Sequence, residues 1–558
     1  MNHNKLRKFA RRFWSKGIIV NGLIFSCILY FTSVILSHHY DWDIDQFMYF
    51  GSRLANRELA FVREYDDKSI AVHALFVIPF WFKSIRIWYI ISIVVASIAA
   101  HNLYKTLSKY ESTGKSQALI SAMYFAFLMT STRGGINHIN GIAACMMLIY
   151  IDKIALSPKK IAPAAVKNKT PIFIFIAAWS VSIRPYYILT TLAVILWPAT
   201  KMLLADCNSK HKSKSDKIFI NKLLLNSLKM AALLTTFVAA INVLPYILTG
   251  EGKALADAFI INKISITPSL QEGVFSILII ALQKAPLIMA PLIVSNVFLI
   301  LDGFRFAKER GFYVLNFVEI NLDLIYSGSI MPILLAFMMS TRHFHNHYLA
   351  LFAPFSAITL YLLLIQRNYS KTTGFIYKQS KLYGRLSKVS RIAISLGLTY
   401  HCIYPIIKIN ERFSSWSKVR TQGRENILGE LEALARKDGK NNSFIVTRDN
   451  HFHWRLNQSR MGIPHASLLS KIATDHENIS QATNQASELQ TQFKYPKTSQ
   501  LCETMLYAKP DIYLVPKNTA EEKCLAKEES NYSYYKKVER GHAWKLTQTK
   551  TGIIFIKK

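Results

Sequence analysis

Charge is scarce in this sequence, and negative charge is the scarcest. Only 18% of the 558 residues are charged, with 34 Asp and Glu against 68 Lys and Arg. An ordinary soluble chain carries about a quarter of its residues as charges, so a string of soluble domains is excluded. Cysteine is rare too, with six residues in all. Cys27, Cys145, Cys207 and Cys402 fall in or beside apolar runs and read as packing residues, so no disulfide framework holds this part of the chain. Internal repeats, low-complexity tracts and any His-Glu-x-x-His metal signature are also missing.

What the sequence has in quantity is apolar length. Hydrophobic residues make up 51% of the chain. They gather near 18–37, 85–105, 117–131, 138–155, 171–183, 186–205, 224–248, 276–301, 322–340, 348–366 and 390–408. A helix needs roughly 20 apolar residues to cross the hydrocarbon core, so these blocks predict about 11 crossings. The expected fold is mainly α, a polytopic transmembrane helical bundle over residues 1–408. A small extracytoplasmic α/β domain is expected over 409–558, where apolar blocks shrink and polar residues rise. There NILGELEALARK (426–437) has helical spacing, NSFIVTRD (442–449) and DIYLVPKN (511–518) read as strands, and 533–558 reads as strands joined by Gly-containing turns.

A net charge of +34 on a soluble protein would point to nucleic acid. Here the cations follow the membrane instead, and no nucleic-acid partner is expected. The N-terminal stretch MNHNKLRKFARRFWSKG has six Lys/Arg and no acid, which places it in the cytoplasm. Alternate loops then put Lys105–Lys115, Lys153–Lys169, Lys210–Lys222, Arg305–Arg310 and Arg367–Arg391 on the same side, and all are basic. The expected location is the plasma (inner) membrane, multi-pass, with the tail outside the cytoplasm. Ser37-His38-His39-Tyr40 is a poor cleavage site, so a retained first span is expected. Cys502 and Cys524 lie in the exported tail, where oxidation is permitted, and the sequence leaves their pairing open.

The stretch HHYDWDIDQFMYF (38–50) leaves the first span with Asp41, Asp43 and Asp45 together. It reads either as a solvated acidic turn or as a catalytic acid or base held at the membrane surface. Asp45 suits a helix N-cap and lies one turn before Tyr49. The segment Asp45–Leu59 has a helical apolar stripe with Arg53 and Arg57 opposite, predicting a helix on the membrane surface. Ser69–Phe82 is apolar but short and contains Pro79, as a re-entrant or interfacial helix would. Asp66 and Asp67 form a second acidic pair, read as a solvated turn or as ligands for a divalent cation. No other cofactor is expected.

The other outer turns supply cations and hydrogen-bond donors. STRGGINHING (131–141) carries Arg133, Asn137, His138 and Asn140; Arg184-Pro185 breaks the fifth and sixth apolar blocks apart. TRHFHNHY (341–348) carries Arg342, His343, His345, His347 and Tyr348. Lys284 falls inside the block 276–301, where an ionisable residue is expensive unless it snorkels or works. The alternate histidines lack a zinc spacing, so a metal site is not assigned; contacts to a sugar or phosphate fit them better. Carboxylates on one outer loop and cations on others are what inverting sugar transfer from a lipid phosphate needs. A base takes the acceptor hydroxyl's proton, and cations stabilise charge on the departing phosphate. A transporter would instead place charges near the midplane, for which Lys284, Glu319 and Asp323 are the candidates, without internal duplication.

These residues resemble the GT-C superfamily of membrane glycosyltransferases, in the style of the polyprenyl-phosphate-sugar-dependent protein O-mannosyltransferases and the aminoarabinose transferase acting on lipid A. The resemblance rests on Asp45-Gln46 with Tyr49, Gly51-Ser52-Arg53-Leu54-Ala55 and the segment with Pro79. Ser182-Ile183-Arg184-Pro185, His345-Asn346-His347-Tyr348 through Pro354, and the tail segment LCETMLYAKPDIYLVPKN (501–518) also carry it. Many relatives have Asp-Glu where this chain has Asp45-Gln46. The resemblance implies a hexosyl- or pentosyltransferase that takes a polyprenyl-phosphate-linked sugar to a glycan, lipid or protein acceptor at the outer face. It implies Asp45 as base, with Arg184 and Arg342 on the donor phosphate. Asp43, Asp66 and Asp67 are the further acidic candidates, and Lys284, His345, His347 and Arg133 the further phosphate contacts. Tyr49, His138 and Tyr348 are the candidate substrate contacts. The alternatives are a transporter or flippase of a lipid-linked glycan, a glycan polymerase or ligase, and a membrane-anchored binding protein working through 409–558.

Overall fold

The computed structural model describes residues 42–59, 68–110, 115–156 apart from 133, 134 and 137, 170–208, 214–256 apart from 254, 273–310, 314–340, 346–372, and five strands between 445 and 557. The expected spans at 18–37 and 390–408, the helix at 426–437 and both tail cysteines lie outside the described residues. In chain order the helices are α1 (Trp42–Ala55), α2 (Ile70–Trp81), α3 (Ile85–Tyr110), α4 (Lys115–Ser131), α5 (Ile139–Ile154) and α6 (Thr170–Ile183). A 3-10 turn, Pro185–Tyr187, leads into α7 (Ile188–Asn208), α8 (Lys214–Asn242) and α9 (Leu244–Leu248). Then come α10 (Val274–Lys284), α11 (Pro286–Arg310) and α12 (Val314–Ile325). A π-turn, Tyr326–Ile330, joins α12 to α13 (Met331–Ser340), and a second 3-10 turn, Asn346–Phe352, precedes α14 (Ala353–Thr372).

The chain divides into two units. The first, built on residues 89–241 and 268–407, is a helical bundle. Five segments among the described residues are long and apolar enough to cross a membrane: Ile85–Lys109, Leu224–Asn242, Pro286–Phe304, Phe317–Ser340 and His347–Ile365. Their exposed faces are the reverse of a soluble protein's. Ile90, Val94 and Ile98 line up four residues apart on α3, and Val297, Ile300, Leu301 and Phe304 line α11, all exposed. Apolar surface of that extent belongs in lipid. The other side of α3 buries Ala96, Ala99 and Ala100, small residues that let neighbouring helices approach closely. Helix α14 is the axis of the bundle: Phe355, Ala357, Ile358, Leu360 and Tyr361 are all buried, and it packs on α4 and α11. A helix apolar all round is stable only in such a position.

Two of the interruptions in the apolar blocks bear on the sites described below. The block 276–301 is two helices, because Pro286 has no N–H to continue α10. Lys284 is therefore exposed at the C-terminal end of α10, two residues short of the apolar segment beginning at Pro286. The block 322–340 carries the π-turn, which inserts one residue per turn without ending the helix.

The second unit contains residues 40–88, 242–267 and 408–558. In it α1 packs on α2 at Gly51, where an added Cβ would stand 2.7 Å from Phe76 Cβ. Phe47 and Phe76 rings lie 5.3 Å apart, His73 stacks on Phe50 at 5.0 Å, and Phe76 stacks on Trp88 at 4.3 Å. The surface-helix reading of 45–59 is corrected here. Ile44, Phe47, Met48, Tyr49 and Phe50 cover most of the helix circumference and all are buried. Arg53 is buried as well, because Glu58 folds back to pair with it after Arg57 turns the chain at φ 64°. The helix also starts at Trp42, so Asp45 sits within its first turn rather than capping it.

The same unit holds strands β1 (Ile445–Thr447), β2 (Ile512–Pro516), β3 (Tyr535–Lys537), β4 (Trp544–Thr547) and β5 (Lys550–Lys557). β1 runs parallel to β2, and β2 pairs antiparallel with β5 from Ile512↔Ile556 to Pro516↔Gly552. The other edge of β5 takes β3 near its end and β4 near its start. These strands fall within the segments whose alternation predicts them.

Candidate functional site

One end of the bundle gathers three connections: α4 to α5, α6 to α7, and α13 to α14. Each is fixed by its own sequence. Between α4 and α5 the chain turns so tightly that Gly135 and Gly141 are required, since an added Cβ would strike the carbonyl oxygen of Met129 or of Gly135 respectively. Ile136 N–H donates to Met129 O at 2.8 Å and His138 N–H to Gly135 O at 3.0 Å, which fixes the backbone leading into α5. His138 then caps α5 in extended conformation (φ −135°, ψ 155°), its ring Nδ1 accepting the Asn140 N–H at 3.1 Å. Between α6 and α7, Pro185 forces Arg184 out of helical geometry, to φ −138°. Arg184 N–H still reaches Ser180 O at 2.9 Å, so the break is held in place.

Asn140 is the hub. Its Nδ2 donates to the His347 carbonyl at 2.7 Å, and its Oδ1 accepts from Arg184 Nε. The three connections are thus joined through one buried amide. Around it the His138 and His347 rings lie 4.7 Å apart, and His347 meets Tyr348 edge-on at 4.5 Å. Tyr348 packs on Tyr186 at 5.1 Å, and the Arg184 guanidinium lies 5.3 Å from the Tyr348 ring centre. Tyr187 O–H ties the 3-10 turn to Leu351 O at 2.7 Å. His138 and Asn140 have no exposed surface, and Arg184 is only 5% exposed.

The electrostatics are one-sided. Residues 138–141, 180–187 and 347–352 contain no Asp or Glu. Among the described residues, no carboxylate pairs with Arg184. The guanidinium has an amide oxygen on Nε and an aromatic face beside it, which together offset only part of the cost of burying a full charge. A buried cation with no counter-ion among the described residues, held by an amide and an aromatic ring, is arranged to receive an anion.

Of the residues expected from the sequence, His138, Arg184, His347 and Tyr348 meet here. Asp43 and Asp45 are on the first turn of α1, in the second unit. Tyr49, on the same helix, is fully buried with its ring against Phe50. Lys284 is exposed at the end of α10, a helix that packs beside the Asn346–Phe352 turn. Asp41, Asp66, Asp67, Arg133, Arg342 and His345 lie outside the described residues. Tyr186 is a member that the sequence does not single out, and Asn140 is read there as one polar residue among several rather than as the hub. The partners of Asn140 are 44 and 207 residues away, so nothing local marks it as the hub.

No family model matches the chain, and no curated protein sequence matches it. Solved structures do. ArnT from Cupriavidus metallidurans, crystallised bound to undecaprenyl phosphate, aligns over 96% of this chain and 97% of its own, with TM-score 0.54 and 10% identity. An oligosaccharyltransferase from Archaeoglobus fulgidus, in complex with zinc and sulfate, aligns over 89% of this chain and 68% of its own, with TM-score 0.38 and 14% identity. The chain thus follows the fold of ArnT along nearly the whole of both chains, on a bundle whose long helices expose apolar faces.

Proposed function

We propose that this chain transfers a sugar from a polyprenyl-phosphate-linked donor to an acceptor at the outer face of the membrane. The observation that carries the reading is Arg184: a guanidinium 5% exposed, held by Asn140 and paired with no described acid. The donor's phosphate is the anion it awaits, with His138 and His347 as further polar contacts and Tyr348 as the ring that orients the guanidinium. The solved complex of ArnT with undecaprenyl phosphate supports a lipid of that class. Lys284, Arg342, His345 and Arg133 are assigned as additional cations near the same headgroup. The end of the bundle that holds Arg184 is taken as the outer end, which keeps the basic loops of the expected 11-span topology in the cytoplasm.

In the proposed reaction the acceptor hydroxyl attacks the anomeric carbon as Asp45 takes its proton, with Asp43 as the neighbouring acidic candidate. The new O–C bond forms as the bond from that carbon to the phosphate oxygen breaks. The electron pair leaves with the polyprenyl phosphate, whose added charge Arg184 stabilises. Asp66 and Asp67 are assigned a supporting part, as acid or as ligands of a divalent cation. The test uses the full chain in lipid nanodiscs with a radiolabelled polyprenyl-phosphate sugar. Asp45→Asn is expected to insert and bind the lipid phosphate normally while losing transfer by at least about 100-fold, the lower end of what a general base contributes. Near-normal transfer by Asp45→Asn removes the base role. Donor movement without a new glycosidic bond overturns the reading in favour of transport.

A further inference from the structure

A second polar cluster lies inside the bundle, away from Arg184. Lys201 Nζ on α7 pairs with Asp323 Oδ2 on α12 at 2.6 Å, and Trp197 Nε1 donates to Asp323 Oδ1 at 2.9 Å. The indole stacks on Tyr326 at 5.1 Å, and Tyr326 O–H shares a hydrogen bond of 2.9 Å with Thr200 Oγ1. Tyr326 opens the π-turn, in which the Met331 N–H reaches back to Tyr326 O. Side chains from two more helices brace that turn. Asn296 Nδ2 on α11 donates to Gly328 O at 2.9 Å, Ser329 Oγ donates to Asn296 Oδ1 at 2.7 Å, and Thr359 on α14 bonds Ser327 at 3.0 Å. Gly328 has no room for a side chain, because Ser295 Oγ occupies the place of its Cβ.

A part-buried ion pair that ties two helices of the bundle together calls for a role. Both Asp323 oxygens already hold donors, so the cluster is closed and is not built to take a ligand. Its placement on the chain suggests a mechanical task. α7 begins just after Arg184, α13 ends just before the turn with His347, and α13 packs directly on the Pro185–Tyr187 turn. The ion pair joins the lower parts of these two arms. The π-turn, whose extra residue breaks the regular hydrogen-bond ladder, is the weak point in one of them.

We propose that the π-turn is a hinge and the Asp323–Lys201–Trp197 cluster its latch, so that Asp323 and Lys201 are positioning residues for the cationic site. From Gly328 to Ser340 the lever is about 18 Å long, so a tilt of about 10° moves its tip by about 3 Å. That is the difference between a hydrogen bond made and one lost. The inference rests on the lipid-phosphate reading only for what the movement serves. Its test needs neither donor nor acceptor, so the two fail separately.

The test places spin labels at Leu189→Cys and Ser340→Cys in the full chain in nanodiscs, with the native cysteines replaced by serine. The native latch is expected to give one narrow distance distribution. Asp323→Asn is expected to broaden it or add a population displaced by about 3 Å. Trp197→Phe keeps the ring on Tyr326 and removes one donor, so it is expected to produce a smaller change of the same kind, and it carries the test should Asp323→Asn fail to insert. If the distribution stays native while thermal stability falls, the cluster is only a packing device and the proposal is overturned.

Discussion

Replacing Arg184 by Gln is expected to move affinity and stability in opposite directions. In the folded protein the guanidinium contributes one hydrogen bond to Asn140 and lies 5.3 Å from the Tyr348 ring centre. Together those contacts stabilise by about 1–3 kcal/mol. Against them stands the burial of a charge with no described carboxylate, an effective penalty of several kcal/mol per ion. Gln removes the charge and can still donate to Asn140, so the empty protein is expected to unfold at the same temperature or a higher one. For the complex the sign reverses. Removing one partner of a buried, hydrogen-bonded charge pair costs about 2–5 kcal/mol, which is roughly 30- to 4,000-fold in Kd. The assay is a titration with undecaprenyl phosphate in nanodiscs beside a thermal scan of the same samples without ligand. A fall of many degrees in the scan with affinity inside about threefold would show Arg184 to be a structural cation and would refute the anion-site argument.

Two further substitutions probe the geometry from other sides. Asn140→Asp replaces the hub amide with a carboxylate directly on Arg184 Nε. It supplies a counter-ion that the described residues lack and gives up the Nδ2 bond to His347 O, so lipid-phosphate binding is expected to fall at least about tenfold while the protein still inserts, as the same titration and an insertion assay will show. Gly51→Ala sets a Cβ 2.7–2.9 Å from the Cβ, carbonyl carbon and carbonyl oxygen of Phe76. The overpacking costs about 1–3 kcal/mol, against a helix-propensity gain of about 1 kcal/mol, so a net loss of about 1 kcal/mol in unfolding free energy is expected, and a gain in stability would contradict the close packing of α1 on α2.

Elements set by the solvent are easily read from this sequence. Lipid requires apolar length, so the blocks that begin α3, α5 and α14 are visible, and the missing N–H of Pro185 marks the break after Arg184. What escapes is what depends on partners. The stripe of 45–59 with Arg53 opposite fits a surface helix, and only Glu58 folding back on Arg53 permits burial. Lys284 sits inside an apolar block on paper, yet Pro286 ends the helix beyond it and leaves the ammonium exposed. The π-turn at Tyr326–Ile330 has no local signature, because Ser295, Asn296 and Thr359 brace it from other helices. The site shows the same division. His138, Arg184, His347 and Tyr348 are conspicuous as polar residues in outer turns, while Asn140, which joins them, is one more buried amide until the fold brings its distant partners together.

The same physics explains how this chain follows the path of ArnT over almost its full length at 10% identity. A lipid-facing position asks only for an apolar side chain, so Ile90, Val94 and Ile98 can be exchanged for other aliphatic residues at little cost. A helix–helix contact asks for small volume, which Ala96, Ala99 and Ala100 meet without being unique answers. Neither demand preserves identity, so sequence likeness dissolves while the crossing pattern endures. The exceptions are positions where backbone meets backbone or where a charge is buried. Gly135 and Gly141 admit no side chain, and Arg184 has a planar fork that Lys cannot reproduce. These three lie together at one end of the bundle, where the three connections are fixed to one amide. A bilayer demands nothing of that kind from a helix end, and a lipid phosphate bound at Arg184, as proposed above, would demand it.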